Sequence, residues 1–205
     1  IADKATAAGI GMPALTIVGE VVRLRETLRW FDTKPLFGKR VLVTRAVEQS
    51  ESLAQALREH GAATLELPMI RIEPALDPAP LTAAVAALRS YQWLVFTSQN
   101  GVRAFFSELA RQGFDSRHLF GLRIAAIGPS TAQALEPYGV RCDVMPDSFR
   151  GEALAAIMLR EQAGPMQGVR VLLPRAAVAR DVLPETLREA GATVDVVEAY
   201  RTYGA

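Results

Sequence analysis

From Val41 onward the chain alternates short β-branched and apolar runs with amphipathic stretches of about ten residues. That alternation is the pattern of βα units around a mainly parallel sheet. Strands are predicted at Val41–Thr44, Thr64–Leu67, Trp93–Thr97, Ile124–Ile127, Cys142–Met145, Val169–Leu173 and Val194–Tyr200. Helices are predicted between them, with Gly61, Gly139 and Gly191 just past three helix ends, where a left-handed cap favours glycine. Ahead of this pattern, Pro13 to Glu20 reads as a strand closing in a glycine turn, and Val21 to Phe31 as a helix. One strand and one helix cannot enclose a core, so this opening piece is expected to be a remnant of something larger.

An internal repeat shapes the expected architecture. Val41-Leu42-Val43-Thr44-Arg45-Ala46 aligns with Val171-Leu172-Leu173-Pro174-Arg175-Ala176, and Leu57-Arg58-Glu59-His60-Gly61-Ala62 with Leu187-Arg188-Glu189-Ala190-Gly191-Ala192. Both matches share one offset (171 − 41 and 187 − 57 are both 130), and Leu53 matches Leu183 at the same spacing. The expected fold class is therefore α/β, with two similar βα-repeat domains and parallel sheets, the first domain incomplete within this chain. The expected boundaries are an opening remnant at 1–32, a linker at 33–38, the first part of one domain at 39–72, a crossing at 73–80, a second domain at 81–198 and a return crossing at 199–205. An unfinished first domain is expected to expose an apolar sheet edge and face.

Composition narrows the chemistry mainly by exclusion. Half of the 205 residues are apolar, enough to bury a core, and 23 basic against 22 acidic residues leave no broad positive field for nucleic acid or anionic lipid. An anionic ligand must then be held locally. One cysteine, Cys142, and two histidines, His60 and His118, are too few for a zinc site, and no metal or cofactor is expected. No apolar run approaches the roughly 20 residues that span a bilayer, and the expected compartment is the cytoplasm. The sequence sets no oligomeric state.

In parallel α/β sheets ligands gather at the carboxyl ends of strands, where helix N-termini leave backbone N–H groups unpaired. Two such turns stand out, Thr97-Ser98-Gln99-Asn100-Gly101 and Gly128-Pro129-Ser130-Thr131-Ala132. Each offers hydroxyls, a glycine that permits close approach, and a helix start, and a ligand with carboxylates suits both. Helix capping by Ser98 and Ser130 accounts for the same residues without any ligand. Neither turn is a P-loop or a dinucleotide fingerprint, and no Ser/His/acid or Cys/His set is recognisable.

Taken in order, Val41-Leu42-Val43-Thr44-Arg45, Phe96-Thr97-Ser98-Gln99-Asn100-Gly101-Val102, Ile127-Gly128-Pro129-Ser130-Thr131-Ala132, Leu172-Leu173-Pro174-Arg175 and Ala199-Tyr200-Arg201-Thr202 resemble the uroporphyrinogen-III synthase family. The resemblance runs from about residue 38 to residue 204. Pro13 to Phe31, with Gly19-Glu20-Val21-Val22, resembles the end of uroporphyrinogen-III C-methyltransferase, an enzyme known to be fused ahead of the synthase. The resemblance implies two α/β domains joined by a two-strand connection, with an active site in the cleft. It also implies a cofactor-free cyclisation of hydroxymethylbilane, with inversion of the last pyrrole ring and loss of water. By position it makes Tyr200 and Thr131 the candidate catalytic residues, and Arg45, Ser98, Gln99, Asn100, Gly101, Gly128, Pro129 and Ser130 the candidate substrate-binding ones. Ala176 departs from the glycine that the family often has after Pro-Arg. These 205 residues alone are expected to be weakly active or inactive. The competing reading is a non-catalytic module that binds a polycarboxylate between two α/β lobes.

Overall fold

The 130-residue offset of the sequence repeat returns as a repeat of backbone geometry, one copy in each of the two units into which the chain divides, Ile1–Met69 and the residues from Ile70 on. In the computed structural model, which describes residues 1–204, the first unit holds α1 (Ala2–Ala7), α2 (Arg25–Leu28), β1 (Arg40–Val43), α3 (Val47–Glu59) and β2 (Ala63–Glu66). The second holds β3 (Ile70–Pro74), α4 (Ala79–Ala86), β4 (Trp93–Phe96), α5 (Gln99–Arg111), β5 (Arg123–Ala126), α6 (Pro129–Gln133), α7 (Gly151–Glu161), β6 (Arg170–Ala176), α8 (Val182–Glu189) and β7 (Thr193–Gly204).

The two copies match bond for bond where their helices end. β1 runs parallel to β2 with Arg40 opposite Ala63, and β6 runs parallel to β7 with Arg170 opposite Thr193. Gly61 at φ +94° and Gly191 at φ +101° turn the chain out of α3 and α8 in a conformation that side chains disfavour. After each glycine, Ala62 and Ala192 donate back to the carbonyls of Leu57 and Leu187 at 3.0 Å. Thr193 and Ala63 then open the next strands by donating to Val169 and Lys39 at 2.9 Å.

In the second unit the strands lie in the order β3-β7-β6-β4-β5, all parallel except β3, which runs antiparallel to β7. β4 is buried at all four positions because helices cover both faces of the sheet, and its side chains alternate between them. Leu94 and Phe96 join Val85 of α4 and Phe105 and Leu109 of α5 in one cluster. Trp93 and Val95 join Leu154 and Met158 of α7 and Leu187 of α8 in the other. The ligand-bearing end of such a sheet is where β4, β5, β6 and β7 deliver their last residues.

The α/β class and most strands agree with expectation, and four segments depart from it. Pro13 to Glu20 forms no strand, because no neighbouring strand pairs with it, and Leu15 and Val18 stand more than four-fifths exposed. The helix expected at Val21 to Phe31 shrinks to a 3-10 turn at Glu20–Leu24 and the four residues of α2. At Cys142–Met145 only Val144 bridges to Ala125, since Asp143 uses its carboxylate to accept the N–H of Ile124 at 2.6 Å. Ile70 to Pro74, expected to close the first domain's part at 39–72 and open the crossing at 73–80, instead form β3, which pairs with Gly204 to Tyr200 and extends β7 beyond its expected end.

Candidate active site

β4 ends at Phe96 and hands the chain through Thr97 to Ser98, the N-cap of α5. Ser98 is extended there, at φ −161°, and its Oγ accepts the N–H of Gly101 at 3.0 Å, satisfying a donor that the first helical turn leaves open. A Cβ at Gly101 would lie 2.9 Å from the carbonyl oxygen of Pro174. Only glycine lets α5 start this close to β6. Pairing between β4 and β6 stops at Leu172, two residues before Pro174, which has no N–H to continue a ladder.

Tyr200 reaches the same spot from β7 by way of a bulge. Arg175 pairs with Glu198 but Ala176 with Tyr200, so one residue of β7 is extra. Strict alternation would send Val197 and Ala199 to one face and Tyr200 to the other, yet all three pack in one cluster. The phenol of Tyr200 then donates to Ser98 Oγ at 2.9 Å. Three hydrogens, one from Gly101 N–H and one from each hydroxyl, meet two hydroxyl oxygens, which leaves the pair one O–H to offer a ligand.

Ser98 and Tyr200 border a pocket of about 320 Å³, toward the small end of the range for small-molecule sites. Its polar wall includes Arg150, Glu152, Arg175 and Arg180, and Phe149 and Val178 form an exposed apolar rim. α7 opens into it at Arg150 and Gly151, with no side chain capping its first turn. Arg175 is 9% exposed, donates through Nη1 to the carbonyl of Arg180 at 2.8 Å and through Nη2 to the carboxylate of Asp181, and leaves its buried Nε without a partner.

The remaining expected residues are distributed unevenly around this opening. Gln99, Asn100 and Gly101 form the first turn of α5 directly behind Ser98. Ile127 lines the pocket, and Gly128 follows it, with the Phe149 ring at 3.1 Å from where its Cβ would stand. Pro129 and Ser130 are exposed and Thr131 is 3% exposed, all in α6. Ser130 does not cap that helix, because Gly128 holds the N-cap position and the serine falls inside the first turn. Arg45 belongs to the first unit, exposed and bonded to Gln49 Oε1 at 2.9 Å. Sequence reasoning passed over Arg175, although it is the repeat partner of Arg45 (45 + 130 = 175) and stands in the quoted Leu-Pro-Arg stretch. Among the described residues no group of three or more potential metal ligands occurs, and no helix is long and apolar enough to cross a membrane. Cys142 is half-buried, and burial raises its thiol pKa, as expected of a packing residue.

Residues 51–205 match the family model described as uroporphyrinogen-III synthase HemD. The chain is 38% identical over 200 residues to the porphyrin biosynthesis protein HemD of Ruminiclostridium josui, a match that covers 98% of this chain and 39% of that protein. It is 36% identical over 170 residues to the uroporphyrinogen-III synthase of Synechococcus elongatus, covering 82% of this chain and 62% of that one. A crystal structure of a mutant uroporphyrinogen III synthase from Thermus thermophilus superimposes with a TM-score of 0.59 at 20% identity, over 82% of this chain and 64% of that chain. That likeness shows a shared fold. The chain thus spans less than two thirds of the length of either sequence relative.

Proposed function

This chain belongs to the uroporphyrinogen-III synthase family, and from that premise we propose that the whole protein cyclises hydroxymethylbilane to uroporphyrinogen III, inverting the last pyrrole ring with loss of water. The observation that carries this reading is the hydroxyl pair of Tyr200 and Ser98, 2.9 Å apart at the edge of an arginine-bearing pocket. Dehydration needs a proton for the departing hydroxyl, and the pair has one O–H to give. In this proposal Tyr200 is the proton donor, its O–H released when the Ser98 hydroxyl turns to donate to the phenol oxygen. Thr131, buried in α6, is the second catalytic hydroxyl in this reading, and the turns at Ser98 to Gly101 and Gly128 to Ser130, together with Arg45, bind substrate carboxylates through hydroxyls, backbone N–H groups and charge. Holding a flexible tetrapyrrole in one conformation then supplies most of the selectivity.

We also assign residues 13–31 to the end of a fused C-methyltransferase, on the residues quoted above, and the protein to the cytoplasm. Because the activity proposed is that of the whole protein, the 205 residues alone are expected to turn over slowly or not at all. Isomer analysis of the product formed from hydroxymethylbilane by the full-length protein tests the reading. Excess type III product is expected, with Tyr200→Phe slower by at least about tenfold. An isomer mixture equal to that of the uncatalysed reaction would sink the enzymatic reading and leave a binding module.

A further inference from the structure

The two copies of the repeat part company at the start of their helices. Their helices end at equivalent residues, Glu59 and Glu189, but α3 starts at Val47, whereas α8 starts only at Val182. Residues 177–181, equivalent to the first five of α3, are not helical in the second copy. Pro184 stands where the first copy has Ala54, and with no N–H to offer the carbonyl of Arg180 it fits only the first turn of a helix, so α8 starts late. The segment instead bends over Arg175, giving it the carbonyl of Arg180 and the carboxylate of Asp181.

Two unmet hydrogen-bonding positions accompany that contact. Asp181 occupies the N-cap position of α8, where an aspartate ordinarily accepts N–H groups of the first turn, yet its side chain makes no capping bond. Arg175 is buried with Nε unpartnered, while Nη2, which points the same way as Nε in a guanidinium, is held by Asp181 alone. A carboxylate that took both Nε and Nη2 would make the two-pronged contact that arginine favours. The uncapped start of α7 lines the same pocket and adds a field that favours an anion.

We propose that Arg175 is a subsite for one carboxylate of the ligand, and that Asp181 is a built-in stand-in for that carboxylate in the unliganded protein. On binding, the ligand carboxylate displaces Asp181 and pairs with Nε and Nη2 of Arg175. Asp181 turns back to cap α8 through the N–H of Leu183, since Pro184 has none to offer. The stand-in keeps a buried cation neutralised until the ligand arrives, and the helix end gives the displaced carboxylate a second partner. This deepens the reading of the pocket as a tetrapyrrole site, on which it rests for the ligand class.

The test is titration of the full-length protein with uroporphyrin III, an octacarboxylate, followed by fluorescence, with the octamethyl ester as the uncharged control. Asp181→Asn keeps a capping residue but removes the competing charge, and is expected to tighten binding by about tenfold. Arg175→Lys, which retains charge but not the fork, is expected to weaken binding, and in its background Asp181→Asn brings no gain. A gain that persists in the Arg175→Lys background, or that Glu152→Gln reproduces, reflects general charge and overturns the proposal. So does an Asp181→Asn protein that binds no tighter than wild type, or failure of uroporphyrin III to bind at all. Amide exchange needs no variant to fold: the Leu183 N–H should exchange more slowly with the octa-acid bound, and an unchanged rate counts against the cap switch. Isomer analysis is a separate readout. Loss of type III selectivity with this binding pattern intact would remove the enzymatic reading and leave the subsite standing.

Discussion

One hydroxyl, Ser98 Oγ, ties the start of α5 to the end of β7 by accepting from Gly101 N–H and Tyr200 at once. Ser98→Ala removes a cap and a tertiary bond together, and should cost about 1–2 kcal/mol, read as a fall in urea midpoint with unchanged slope. Glu108 is a buried carboxylate whose charge contributes to acid stability. The side chains of Arg111 and then Gln112 hydrogen-bond its carboxylate, and against the opposing effect of burial they hold its pKa down at about 2 from 4.5. A carboxylate with a depressed folded pKa contributes stability above the unfolded value, and that contribution is lost as pH falls from about 4.5 to about 2. Thermal melts between pH 6 and pH 2 should show a steeper decline for the wild type than for Glu108→Gln. A Ser–x–x–Gly turn after an apolar strand made the Ser98 cap legible in advance. The partner of Tyr200 was not, because 102 residues separate the two hydroxyls.

Among the elements, the repeated strand–helix–strand unit is the feature that sequence and structure describe in nearly the same terms. Gly61 and Gly191 occupy equivalent left-handed turns but face different neighbours. A Cβ at Gly61 would meet Lys34 Cβ at 2.9 Å and the backbone of Phe37 at 3.1 Å, whereas at Gly191 it would meet the amide end of Gln167 at 2.7 Å. Gln167 can swing aside and the Phe37 backbone cannot. Both alanine variants lose about 1–2 kcal/mol to the φ angle, and Gly61→Ala should lose more than Gly191→Ala, measured as lost exchange protection at Ala62 and Ala192. The helix starts of the two copies diverge because Pro184 confines α8 to a late start, and Arg175 takes up the freed carbonyl of Arg180 and the carboxylate of Asp181.

For the whole molecule, stability should be unevenly divided. In the first unit the buried apolar residues are Val43, Ala46, Ala54 and Ala62, and Leu42, Leu65 and Leu67 remain more than half exposed. The second unit holds two clusters that cover both faces of five strands. Limited proteolysis should therefore cut first within residues 1–69 and leave a resistant fragment starting near Ile70; equal cutting in both units would contradict this. The order of apolar runs, glycine stops and the 130-residue copy determined the α/β class, the parallel pairing of each copy and the strand-end turns, because each rests on patterns within some thirty residues. Tertiary structure alone decided that Pro13 to Glu20 is not a strand, that Ile70 to Pro74 is one, and that the β7 bulge turns Tyr200 toward Ser98. The reason is physical: a strand exists only if a partner edge accepts its hydrogen bonds, and a bulge only if the neighbouring register demands it. Both are set by residues far away in the chain.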